Sequence, residues 1–328
     1  MTEFTLNEIH EKNFTELVIN KLKLEVIDFA KNTESRFIKI DKCPVCGNIH
    51  LKRFTTLWGL HYDQCQSCKT ILTNPHPPEE QIIEFLNTSE AMRIWREEEP
   101  ISISESREKM YLQRFNIIKD EISLLKKEPI SILEIGGGRG ELASKVCKIN
   151  EVNHMYVVEP QELNIDSKNV TILRSSFDKL DIDLQVDMVV SFEVLEHLID
   201  PSKFFKKVFT YLKPGGVLIL TCPNGDSLEV NSLKENSAQL YFDHIRLYNP
   251  NSIEIILKNH NFINSRISTP GNLDVEILQE SLQLINCNSL KSTLKFILEN
   301  KERSKEFQNF LRDRMLSSHM RCIANKPG

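Results

Sequence analysis

The stretch ILEIGGGRGEL, Ile132 to Leu142, places four glycines within five residues at the end of an apolar run. Bare backbone concentrated there constrains the fold strongly: a strand must end, turn tightly and hand over to a helix, and the missing Cβ atoms let a ligand approach the main chain. The surrounding text supports that geometry. From Ile130 onward short apolar runs (ISILEI, HMYVVE, VTILR, VDMVVSF, GGVLILTC, FINSRIS, HMRCIAN) alternate with helix-patterned segments (GELASKVCKI, SKFFKKVFTYL, NPNSIEIILKNHN). Strands alternating with helices of this length predict a mostly parallel sheet with helices on both faces, an α/β doubly wound, Rossmann-like fold. In such sheets ligands bind at the carboxyl ends of the strands, where Gly136, Gly138 and Gly140 fall.

Three ligands compete for a turn of this kind. A triphosphate loop needs Gly-Lys-Ser/Thr at its end, and Arg139-Gly140-Glu141 does not supply it. A dinucleotide fingerprint starting at Gly136 needs glycine where this chain has Glu141. Glu134, a carboxylate in the strand just ahead of the turn, decides between the remainder. Negative charge there repels a pyrophosphate by about 1 kcal/mol or more in a partly buried site and attracts an ammonium group. S-adenosylmethionine carries a cationic amino group and a sulfonium and has no phosphate, so it fits an acid-x-Gly-x-Gly-x-Gly turn best. Glu159, at the end of the next strand, stands where a carboxylate can take both ribose hydroxyls. The plain alternative is that Glu134 and Glu159 are strand-end acids on the surface.

The motifs ILEIGGGRGEL, VVEP, VDMVVSFEVLEHL, LKPGGVLILTCPN and DHIRLYNPNSIEIILKNHNF, in this order, resemble those of the class I S-adenosylmethionine-dependent methyltransferases. The resemblance spans about 130 to 270 and resumes near 319 to 325. It implies a seven-stranded sheet of order 3-2-1-4-5-7-6 with the last strand antiparallel. It also implies that Glu134, Gly136 and Gly138 hold the methionine end, that Glu159 holds the ribose, that Ser176 and Phe177 face the adenine, and that Phe192 and Glu193 line the floor. The adenine loop of the family often reads Gly-Asp, whereas here it is Ser175-Ser176.

Eight cysteines are present, and four of them form a pattern: Cys43-x2-Cys46, eighteen residues, Cys65-x2-Cys68. That is the spacing of a closed four-thiolate zinc site, which stabilises a small fold without doing chemistry. TNPHPPEE, with three prolines, follows as a rigid connector. The ribbon resembles one carried at the N-terminus by some bacterial methyltransferases, among them sugar C-methyltransferases and a ribosomal-RNA guanine methyltransferase. The chain is expected to comprise an N-terminal helical segment (1–40, around Ile9, Leu17, Val18, Leu22 and Val26), a zinc ribbon (41–78), linker helices (79–128) and the α/β domain (129–328) with a helical insertion at 271–317.

Tyr241-Phe242-Asp243-His244 follows the fifth strand of the sheet and is similar to a Tyr-x-Glu-His segment of the sugar C-methyltransferases. The resemblance makes His244 the general base, Asp243 its orienter and Tyr241 an acceptor contact; the plain alternative for His244 is packing. A net charge of −5 and a pI near 6.0 give no pull toward phosphate backbones or anionic membrane. The N-terminus lacks a signal-peptide pattern, and a cytoplasmic location is expected. The leading expectation is therefore O- or C-methylation of a small molecule such as a sugar or sugar nucleotide, a carbohydrate modification. The competing expectation is methylation of an RNA base with the ribbon gripping the substrate. Oligomeric state is open.

Overall fold

The computed structural model describes residues 12–97 and 101–328, so the expectation for Ile9 lies outside the described residues. The chain folds as two compact units: one takes the N-terminal part up to Arg107, Pro223–Ser252 and Thr269–Met320, the other Glu108–Cys222, Ile253–Ser268 and Arg321–Gly328. Among the described residues no helix is long and apolar enough to cross a membrane.

In the first unit a four-stranded antiparallel sheet runs β1 (Leu51–Leu57), β2 (Leu60–Cys65), β3 (Ile71–Thr73) and β9 (Arg246–Leu247). Trp58 and Gly59 both take positive φ, 52° and 89°, and close the β1–β2 hairpin as a two-residue turn whose twist matches its strands. The helix Lys12–Thr33 buries Val18, Leu22, Val26 and Ala30, four residues at a spacing of four that form one apolar stripe. Phe29 from that helix, Phe85 and Phe242 form an aromatic cluster with centroids 4.3–5.3 Å apart. The stretch after Thr269 is helical at Asp274–Glu280, Asn288–Leu298 and Lys301–Asp313, and it packs Leu278, Leu294, Leu298 and Leu311 into a small core. Buried Asp274 anchors that core: its carboxylate accepts from Gln308 Nε2 and from the Ser318 hydroxyl and N–H.

The second unit contains the seven expected strands: β4 (Ile130–Ile135), β5 (Val152–Val158), β6 (Val170–Leu173), β7 (Val186–Phe192), β8 (Leu212–Pro223), β10 (Ile263–Ser268) and β11 (His319–Asn325). Their order is β10-β11-β8-β7-β4-β5-β6, which is 3-2-1-4-5-7-6 when the seven are counted along the chain and read from the β6 edge. β4 pairs in parallel with β5 and β7, and β11 runs antiparallel to β10. β7 is buried at every position, as a central strand covered on both faces must be. Asp200 caps the helix Pro201–Tyr211 by accepting the Lys203 N–H at 3.0 Å, with proline at the first helical position. Glu134 and Phe192 stand at the carboxyl ends of β4 and β7, the two central strands, where the sheet opens its ligand crevice.

Candidate active site

β4 delivers Glu134 and then the glycine turn. The turn closes on itself through the Gly140 N–H to the Gly137 carbonyl at 2.8 Å and is tied to the neighbouring strand by the Gly136 N–H to the Val158 carbonyl at 2.9 Å. Part of the glycine requirement comes from the protein itself: at Gly136, φ +79°, an added Cβ would stand 2.4 Å from Val194 Cγ2. Gly138, φ +54°, differs, since only the Tyr111 hydroxyl lies within 4 Å of its would-be Cβ, at 3.9 Å. Its bare backbone borders a cleft of about 410 Å³ that Gly136, Glu134, Glu159, Phe192 and Glu193 also line.

Glu134 is 3% exposed, and its Oε2 has no hydrogen-bond partner among the described residues. Burial pushes its carboxyl up to about 8; the Arg114 guanidinium opposes the rise and the Glu159 carboxylate adds to it. A buried, partnerless carboxylate oxygen calls for a donor, and a cationic ammonium supplies both hydrogen bonds and charge. Glu159, 9% exposed, uses one oxygen to accept the Gly138 N–H and the other to accept the Gln161 N–H, both at 3.0 Å. It thereby holds the glycine turn in shape, and each carboxylate oxygen keeps a second lone pair for a ligand hydroxyl. Glu193 sits at φ +55°, and its carboxylate accepts from the Thr221 hydroxyl.

Sequence reasoning missed several side chains of this cleft, two of them on one helix. Arg114 and Tyr111 come from the helix Ile101–Leu125, whose sequence reads as a linker; the guanidinium lies 5.2 Å from the Phe192 ring centroid and 5.7 Å from that of Tyr111. Arg114, Ile118 and Ile122 share one helical face, and burial of both isoleucines is the signal that this face turns inward. Ser176 and Phe177 are not among the residues lining the cleft; Phe177 is buried edge-on against Phe204 at 5.4 Å, with Lys207 Nζ 5.3 Å from its ring centroid.

The residues expected on the acceptor side, Tyr241, Asp243 and His244, lie in the first unit. The His244 Nδ1 is 2.8 Å from the Gln239 carbonyl oxygen, which can only accept, so Nδ1 carries the hydrogen and the lone pair of the neutral ring is on Nε2. This carbonyl orients the ring through Nδ1. Tyr241 packs 5.8 Å from the His244 ring, and buried Tyr62 donates to the Tyr241 carbonyl at 2.9 Å. Burial, with the Asp243 charge adding to it, raises the Tyr241 phenol far above its ordinary value, so it stays a hydrogen-bond donor.

Cys43, Cys46, Cys65 and Cys68 converge, all four sulfurs within 4.8 Å of one another. Cys43–Cys68 and Cys46–Cys65 are 3.5 Å apart, close to the roughly 3.8 Å edge of a tetrahedron with 2.3 Å zinc–sulfur bonds. Two matching turns present them: the Gly47 N–H donates to the Cys43 carbonyl at 2.8 Å and the Lys69 N–H to the Cys65 carbonyl at 3.0 Å. Both fourth residues take positive φ. Four thiols so placed, with Thr70 Oγ1 3.1 Å from Cys68 Sγ, suit a tetrahedral thiophilic ion.

Residues 110–265 match the family model described as a methyltransferase domain. A probable S-adenosylmethionine-dependent methyltransferase of Mycolicibacterium smegmatis is 36% identical over 104 residues, which cover 28% of this chain and 38% of the relative. The mitochondrial ubiquinone biosynthesis O-methyltransferase of Dictyostelium discoideum is 27% identical over 141 residues, covering 36% of this chain and 44% of the relative. The chain spans less than half the length of either curated relative. Among solved structures, phosphoethanolamine N-methyltransferase 2 of Haemonchus contortus in complex with S-adenosyl-L-methionine has a TM-score of 0.49 at 17% identity, covering 79% of this chain and 63% of that one. The segment that matches the methyltransferase-domain model, residues 110–265, contains the glycine turn and the strands β4 to β8.

Proposed function

We propose that the protein transfers a methyl group from S-adenosylmethionine to a small-molecule acceptor, by O- or C-methylation, with His244 as general base. The observation that carries the proposal is the buried Glu134 oxygen, partnerless among the described residues, beside bare glycine backbone. Glu134 would hold the cofactor's ammonium, Gly136 and Gly138 would admit its amino-acid end, and Glu159 would take the ribose. The bound cofactor supplies an electrophilic methyl group on a sulfonium. A hydroxyl or acidic C–H acceptor reacts faster when its proton is removed as the bond forms, and a neutral imidazole with its lone pair on Nε2 is the side chain best suited to that. The Gln239 carbonyl keeps the ring in that tautomer. The O-methyltransferase relatives favour a hydroxyl acceptor. The four cysteines would hold a structural zinc ion, which keeps β1–β3 folded and takes no part in the reaction.

The test is His244→Ala, assayed with labelled S-adenosylmethionine against candidate acceptors. Turnover should fall by roughly a hundredfold or more while cofactor affinity stays within twofold. Equal loss of turnover and cofactor binding would return His244 to a packing role.

A further inference from the structure

The first unit contains a second cavity, of about 710 Å³, a size that suits a drug-sized molecule. Both tryptophans of the protein, Trp58 and Trp95, stand in its wall together with Tyr241, Met92 and His244. Trp58 comes from the hairpin turn, and its ring meets that of Tyr241 edge-on at 6.5 Å. The Tyr241 hydroxyl is 3.9 Å from Met92 Sδ, so the wall between these groups is continuous and soft. The charges around the cavity are one-sided: Glu16, Glu235 and Glu280 against the single cation Lys23.

We propose that this cavity binds a flat ring compound that carries no phosphate, and that such compounds are the acceptor class of the methyl transfer proposed above. Aromatic walls stack on a planar ring and gain beyond area burial alone. A phosphate entering the same space meets three carboxylates, and each repels it and weakens its binding. The single lysine offsets one of them. Sugar nucleotides, with two phosphates, fall outside the class, whereas a phenol or hydroxylated heterocycle falls within it. His244, on the same wall, places a base where such a hydroxyl would lie. As an assignment of acceptor class the proposal rests on the methyl-transfer reading; as a statement about binding it does not.

Because both tryptophans line the cavity, their emission reports occupancy without any cofactor or turnover. The full chain titrated with methyl 4-hydroxybenzoate should show a saturable change in tryptophan emission, and UDP-glucose should show none. Trp58→Asn keeps a residue that tolerates positive φ and removes the ring; it should weaken the phenol at least tenfold with an unchanged circular dichroism spectrum. Glu16→Lys with Glu280→Lys, both on exposed positions, should make UDP-glucose binding measurable. UDP-glucose saturating the unaltered protein below the phenol, or phenol affinity indifferent to Trp58→Asn, overturns the proposal. A failed titration with intact methyl transfer would refute the cavity's ligand class, both as binding and as acceptor, and leave the reaction standing; intact titration without methyl transfer would refute only the reaction.

Discussion

Glu134 makes cofactor binding a proton-linked event. In the ligand-free protein burial holds its carboxyl near 8, against 4.5 for an ordinary glutamate, so at pH 7 it carries a proton. The cofactor's α-ammonium titrates at about 7.7–8.0. Two protons are thus present before binding below pH 8, and the ammonium–carboxylate pair retains one. Affinity should therefore peak near pH 8. With both groups near 8, the two titrations together weaken binding roughly twenty-five-fold between pH 8 and pH 6, about 2 kcal/mol. Calorimetry in buffers of different ionisation enthalpy should register release of close to one proton per cofactor at pH 6.5, and uptake above pH 8.5. Glu134→Gln should abolish the acid limb and keep the alkaline one, which belongs to the cofactor. A pH-independent affinity between 6 and 8 in the unaltered protein would refute the reasoning. The same raised value sets the sign for the ligand-free fold: the folded carboxyl keeps a proton that the unfolded one has lost, so this group's contribution to stability falls as pH rises from 4.5 toward 8.

Asp187, at the start of β7, accepts from Lys213 Nζ, the Ser131 N–H and the Ser131 hydroxyl, each at 2.9 Å, and from Lys127. Burial would raise its carboxyl, but these partners outweigh burial and hold it well below the ordinary value of 3.8. Asp187→Asn should cost on the order of 2 kcal/mol in urea unfolding at pH 7. That contribution is complete above about pH 5, and the difference between variant and parent should shrink as pH falls below 3.8. Purified protein should hold one zinc ion per chain. Cys65→Ser, or a strong chelator, should expose 43–75 to protease while the seven-stranded sheet keeps its circular dichroism signature; ion-free protein with an equally resistant ribbon would remove the metal from the account.

What could be read in the letters is what depends on local spacing. The seven strands of the larger sheet announce themselves as β-branched runs with Gly and Pro punctuation. Glu134 and the glycines form one contiguous string, and the cysteine cluster needs only two pairs of matched spacing. What could not be read depends on pairing between distant segments. β9 is a two-residue strand, Arg246–Leu247, that pairs with Ile71 and Leu72, and no periodicity can mark so short an element. The Gln239 carbonyl that fixes the His244 tautomer is a backbone atom, present at every residue and therefore without a signature. Arg114 was hidden because a charged helix with weak amphipathic order reads as a connector until its inward face is known. Phe177 packs its ring against Phe204 and Tyr211 of the helix Pro201–Tyr211, a contact between distant segments that no local spacing announces.

The central claim is that the glycine cleft, lined by Glu134, Glu159 and Glu193 against the single guanidinium of Arg114, receives a positively charged amino acid joined to adenosine. Titration calorimetry of the full chain at pH 8 with S-adenosylmethionine and, separately, with NAD tests this most directly. Saturable one-to-one binding of the sulfonium compound and no measurable heat with the dinucleotide are expected. Tight NAD binding that Glu134→Gln leaves unchanged, with no response to S-adenosylmethionine, would contradict it.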